Sequence, residues 1–152
     1  MSIFPTKVLL ATDGSKKADL AATTAADLAE KTNSELHIVT VAEDPFLATD
    51  FTLPFPEAAE RHRQQLRKEV QAMLDRQVER VQEAGGKVAQ SHLKVGRTDD
   101  KIMSLAEELG AGLVVMGSRG QGGIRRALMG SVSSSVIEHA HCPVMVVRAE
   151  KE

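Results

Sequence analysis

Short, unbroken apolar runs punctuate this chain at residues 8–11, 113–116 and 144–147 and read as strands, the continuous 113–116 run as one covered on both faces, and the mainly apolar residues 36–41 read as another strand. Residues 88–95 alternate more loosely and add a strand, third in chain order. Between the strands, apolar residues recur at helical spacing. In residues 16–31, Ala18, Ala21, Ala22, Ala25 and Ala29 with Leu20 and Leu28 supply helix propensity and a small-residue packing face, and Ser15 stands where an N-cap belongs. In residues 57–83, Leu66, Val70, Met73, Leu74, Val78 and Val81 form an apolar stripe that Gly85-Gly86 ends. Thr98 is placed to cap a helix over 99–109 that stops at Gly110, and a last helix covers 131–140. Strand and helix therefore alternate through one domain, residues 1–152. That order predicts an α/β fold: an open, mostly parallel sheet of five strands joined by right-handed crossovers, with helices on both faces.

One stretch breaks the pattern. Residues 43–56 carry Pro45, Pro54 and Pro56 together with Phe46, Phe51 and Phe55, so three of the four phenylalanines sit in a proline-punctuated loop. Such a loop either tucks its rings onto the core or covers a site.

Composition removes several classes of function. The 152 residues carry a net charge of −2, which gives no broad footprint for duplex DNA or an anionic membrane surface. With no Trp, no Tyr and four Phe, the chain also lacks a stacking platform for single strands. Neither nucleic acid nor membrane is an expected partner. The longest apolar run falls far short of the ~20 residues that span a bilayer. A single cysteine, Cys142, forms no internal disulfide, and the opening MSIFPTKVLL lacks the pattern of a signal peptide, so the expected location is cytoplasmic.

The chemistry concentrates in residues 117–135, GSRGQGGIRRALMGSVSSS, directly after the fourth strand and leading into a helix. Ligands of open α/β sheets bind beyond the carboxyl ends of strands at a switch point. Gly117, Gly120, Gly122, Gly123 and Gly130 let backbone amides approach a ligand, and Gly130 sits where the next helix begins. The free amides and the dipole of that helix start suit a phosphate, and the hydroxyls of Ser131 and Ser133 are further donors. Arg119, Arg125 and Arg126 lie in the same stretch, which holds no acidic residue. Two commoner phosphate motifs are missing: Gly86-Lys87 is followed by Val88, and Arg125 stands where G-x-G-x-x-G needs its third glycine.

Gly117, two residues, Gly120, nine residues and Gly130-Ser131 spell G-x2-G-x9-G-[ST], which resembles the ATP-binding branch of the universal stress protein family. The opening Val8–Ser15 segment, VLLATDGS, and the closing His141–Val147 segment, HCPVMVV, are similar to that family too, so the resemblance covers essentially the whole chain. Ala18 departs from it, since many relatives have a second serine there. The resemblance implies a Rossmann-like sheet of order 3-2-1-4-5, akin to the adenine nucleotide alpha hydrolases, in which Asp13 at the end of strand one faces the glycine loop after strand four. Asp13 then accepts from ribose hydroxyls, or serves only an Asx-type turn with Gly14 and Ser15. Adenine contacts carry over to Ala11, Thr12 and Val41, mainly through backbone. The full nucleotide-binding set expected is Ala11, Thr12, Asp13, Val41, Met116, Gly117, Arg119, Gly120, Gly122, Gly130, Ser131, Val132 and Ser133.

The implied function is a regulatory, stress-response module that binds ATP, with AMP or a cyclic nucleotide as alternative ligands. Mg²⁺ or Mn²⁺ would arrive on the phosphates, with Asp13 as the protein's candidate ligand. No group that positions a water is evident, so ATP hydrolysis is expected to be slow or absent and no catalytic residue is assigned. The alternative is an ATP-hydrolysing or nucleotidyl-transferring enzyme that uses the same pocket. His139, His141 and Cys142 straddle a helix end and a strand start and are not expected to hold a metal. In the implied order strand five is an edge whose Val144–Val147 run is wholly apolar, which calls for a two-fold partner and matches the family's usual homodimer.

Overall fold

The computed structural model describes residues 2–43, 56–118 and 130–148. Its elements run β1 (Lys7–Ala11), a 3-10 turn (Lys16–Ala18), α1 (Asp19–Lys31), β2 (Glu35–Ala42), α2 (Pro56–Glu83), β3 (Gln90–Val95), α3 (Thr98–Leu109), β4 (Leu113–Gly117), α4 (Ser131–His139) and β5 (Val144–Val147). The strands form one sheet of order β3-β2-β1-β4-β5, and the four pairings are all parallel. The order anticipated from the sequence is the order found.

Each face of the sheet closes one half of the core. Val8, Leu10, Leu36, Ile38 and Val115 pack against Ala21, Ala22, Ala25 and Ala29 of α1 and Leu74 and Val81 of α2. Leu9, Val39, Val114 and Met116 face the other way, onto Ile102, Leu105 and Ala106 of α3 and Val136 of α4. The alternation of side chains along each strand sends neighbours to opposite layers, which is why these strands are apolar throughout. The alanines of α1 form the expected packing face, whereas Leu20 points outward and is exposed.

Three local expectations need correction. Ser15 occupies the N-cap position but makes no capping bond, because its hydroxyl and its N–H are both donated to Asp13 Oδ1. The segment it opens is a 3-10 turn before α1 proper begins. Thr98 is the first residue of α3 rather than its cap; Arg97 holds the cap position, and the Thr98 hydroxyl goes to Glu43 instead. Strand β3 starts at Gln90, although the Ala89 N–H already donates to the Leu36 carbonyl. The proline- and phenylalanine-rich segment 44–55 lies outside the described residues. No helix among the described residues is long and apolar enough to cross a membrane.

Candidate functional site

Strand β1 is the switch point of the sheet, since the chain leaves it toward β2 on one side while β4 flanks it on the other. At its carboxyl end the backbone turns sharply. Gly14 takes φ +78°, a left-handed conformation natural to glycine. Asp13 Oδ1 accepts the Ser15 N–H at 2.9 Å and the Ser15 hydroxyl at 2.6 Å, which closes an Asx-type turn. The turn role weighed for Asp13 is thus realised, and the residue also lines a cleft.

That cleft has a volume of about 400 Å³. Among the described residues, Ala11, Ala18, Val39, Val41, Ile102, Met116 and Val132 are the apolar ones that line it. Polar groups come from Thr12, Asp13, Glu43, Thr98 and Ser133, with Gly117 beside them. Eight of the expected residues therefore meet in one place: Ala11, Thr12, Asp13, Val41, Met116, Gly117, Val132 and Ser133. Gly130 and Ser131 sit beside it as the N-cap and first residue of α4, where Gly130 N–H donates to the Ser118 carbonyl at 2.8 Å. Gly130 has φ −65° and ψ 161°, so its backbone shape is open to any residue. Arg119, Gly120 and Gly122, with Gly123, Arg125 and Arg126, lie outside the described residues.

Ser133 differs from expectation. It is buried, and its hydroxyl donates to the Gly117 carbonyl at 2.9 Å, so it fastens α4 to the end of β4 rather than presenting a spare donor. Neither Glu43 nor Thr98, the latter read only as a helix cap, was expected at the site. Both stand at the carboxyl edge, where Glu43 Oε1 accepts the Thr98 N–H and hydroxyl. Their position just past the ends of β2 and β3 is the signal that identifies them.

A second polar cluster holds α4 in place from behind. Arg97 grips Asp99 with two bonds, Nε to Oδ1 at 2.8 Å and Nη2 to Oδ2 at 3.1 Å. Ser135 adds its hydroxyl to Oδ2 at 2.6 Å, and the Asp100 N–H reaches Oδ1 at 2.9 Å. Burial pushes the Asp99 carboxyl up, but the bonds from Ser135, Arg97 and Asp100 outweigh it and hold the group below the usual carboxylate range.

The histidine and cysteine near the chain's end are otherwise engaged. His139 Nδ1 donates to the Ser135 carbonyl at 2.9 Å, and burial pushes the Cys142 thiol up, away from thiolate chemistry. Among the described residues no group of three or more His, Cys, Asp or Glu side chains is arranged to hold a metal ion.

Comparison with known proteins gives this architecture a family. The Universal stress protein family profile matches residues 5–148. A universal stress protein of Methanocaldococcus jannaschii is 34% identical over 147 residues, covering 96% of this chain and 84% of its own. UspA from Lactobacillus plantarum superposes with a TM-score of 0.80 at 24% identity, over 97% of this chain and 100% of that one. A universal stress protein solved in complex with cAMP aligns at 27% identity and a TM-score of 0.69, over 98% of this chain and 100% of its own. The chain belongs to the universal stress protein family.

Proposed function

We propose that the cleft between the ends of β1 and β4 binds ATP or another adenine nucleotide, and that the protein is a regulatory module of the stress response. The observation that carries this reading is the cleft's division into an apolar floor and a polar rim at the sheet's switch point. Ala11, Val39, Val41, Ile102 and Met116 offer a surface for a base, while Asp13 and the start of α4 stand at its edge. A volume of about 400 Å³ suits a small ligand. The cAMP bound by the 27% identical relative supports an adenine ligand here.

In this reading Asp13 accepts from the ribose, and the phosphates lie toward Gly130 and Ser131, where helix-terminal amides and the dipole favour an anion. Arg119, Gly120 and Gly122 would complete the phosphate side. Mg²⁺ or Mn²⁺ is carried on the phosphates, with Asp13 as the carboxylate at hand. Hydrolysis is slow or absent in this reading, because phosphoryl transfer needs a group that orients the attacking water and none is assigned among the described residues. The protein acts in the cytoplasm as a homodimer joined through Val144–Val147, where Met145 on the edge strand and Ile137 on α4 are exposed. Acid extraction of the purified protein tests the ligand directly. An adenine nucleotide in stoichiometric yield supports the reading; turnover near ~10 s⁻¹, typical of enzymes, moves it to an ATPase.

A further inference from the structure

On the far side of the sheet from the cleft, helix α2 grips the β1 turn at three points. Thr12 donates its hydroxyl to Gln77 Oε1 at 2.8 Å, and the Gly14 N–H donates to Thr12 Oγ1 at 3.0 Å. Arg80 Nη2 donates to the Gly14 carbonyl at 2.8 Å. Met73 closes the third contact, since a Cβ on Gly14 would fall 2.8 Å from both the Cβ and the carbonyl oxygen of Met73. Asp19 joins the set through one carboxylate oxygen, which accepts Gln77 Nε2 at 3.1 Å and Arg80 Nε at 2.9 Å.

Gln77 is the anomaly. It lies on the buried stripe of α2 with Val70, Leu74 and Val81, where the helical repeat calls for an apolar residue, and it is 0% exposed. Burying an amide is costly unless its donor and acceptor are both paired, and an apolar side chain of like volume would serve packing at least as well. What Gln77 supplies instead is direction. It fixes the Thr12 hydroxyl, which in turn fixes the Gly14 amide, and Asp13 lies between those two residues. Gln77 and Arg80 do not line the cleft; both border a separate cavity of about 500 Å³ between α1 and α2.

We propose that Gln77 and Arg80 are positioning residues for the ligand: through Thr12 and Gly14 they set the turn that presents Asp13, so α2 and cleft occupancy are energetically coupled. This rests on the nucleotide reading of the cleft. Coupling is reciprocal, so a ligand that favours the ordered turn must also stabilise α2 around Gln77.

The test titrates the full-length protein, stripped of nucleotide, with Mg-ATP. Gln77→Met keeps the volume and removes both bonds. It is expected to unfold cooperatively yet bind ATP about tenfold more weakly. Thr12→Val should weaken binding by a similar factor, and the double variant should bind no worse than the weaker single one, as expected for residues acting in series. In the unsubstituted protein, ATP should slow amide hydrogen exchange across residues 73–80; this readout decides the matter if Gln77→Met does not fold. Unchanged ATP affinity in folded Gln77→Met, additive losses in the double variant, or exchange in 73–80 indifferent to ATP overturns the inference alone. An unsubstituted protein that binds no adenine nucleotide overturns the cleft reading and this inference with it.

Discussion

The Ser135 hydroxyl, on α4, donates to Asp99 Oδ2 on α3 at 2.6 Å, and this bond ties the helix whose first turn borders the cleft to its neighbour on the same face. Asp99 is buried and, among the described residues, takes two hydrogen bonds from the Arg97 guanidinium, one from Ser135 and one from the Asp100 amide. Its carboxylate is thus held charged inside the fold.

Ser135→Ala removes one bond to a charged, buried acceptor and should cost about 1.5–3 kcal/mol at pH 7. The folded-state value for Asp99 is depressed, so its contribution is present above the unfolded carboxylate value of about 3.9 and is lost as pH falls through the folded value. Urea unfolding of both proteins at pH 7 and pH 3 checks this. The gap between them should narrow in acid, and an equal gap at both values contradicts the assignment.

His37 and His92 set a second pH limit. Their rings stack with centroids 5.4 Å apart, and His37 Nδ1 lies 3.1 Å from His92 Nε2, close enough for one ring N–H to bond the other ring's bare nitrogen. Burial, then the charges of His37 and Lys94, push His92 below the ordinary histidine value, against a smaller opposing pull from Glu108. A histidine depressed in the fold stabilises fully above the unfolded value of about 6.5, and that stability is lost as pH falls below it. The melting temperature should drop between pH 7.5 and pH 5.5, and His92→Gln should flatten the drop. An identical pH profile for His92→Gln would falsify the pairing as its cause.

Gly14→Ala places a Cβ at φ +78° and 2.8 Å from Met73. Left-handed strain alone costs about 1–3 kcal/mol, and the clash against helix backbone adds to it. The substituted protein should melt lower and lose nucleotide affinity together. A Gly14→Ala protein as stable as the parent shows that α2 does not pin the turn.

Met145 is the exposed side chain of the edge strand, whereas Val144 and Val146 pack inward. Met145→Lys should therefore split the proposed dimer without disturbing the core. Light scattering on the unsubstituted protein comes first, and a mass near 16.4 kDa at high concentration excludes the dimer.

The alternation of strands and helices and the alanine face of α1 were legible because each follows from a repeat that local sequence dictates, whereas the strand order and most of the eight expected residues now found lining the cleft came with the family resemblance. The failures share a cause. Ser15, Thr98 and Ser133 were read as free to cap or to bind, yet each hydroxyl found a partner brought near by tertiary structure or the turn itself: Asp13, Glu43 and Gly117. Gln77 was invisible for the same reason, since its partners Thr12 and Asp19 lie 65 and 58 residues away. Period and propensity locate elements; they carry no information about which hydroxyl meets which carbonyl across the core.

The central claim is that the cleft at the ends of β1 and β4 binds an adenine nucleotide. Isothermal calorimetry with Mg-ATP on nucleotide-stripped protein measures it most directly, with Gly130→Val as the control. Gly130 has an unstrained backbone, so the variant should fold while its branched side chain blocks the phosphates from the start of α4. The account predicts micromolar affinity or better, about −8 kcal/mol, for the parent and a loss of tenfold or more, about 1.4 kcal/mol, in Gly130→Val. Absence of heat and of any thermal shift at millimolar ATP, or full affinity in folded Gly130→Val, contradicts it.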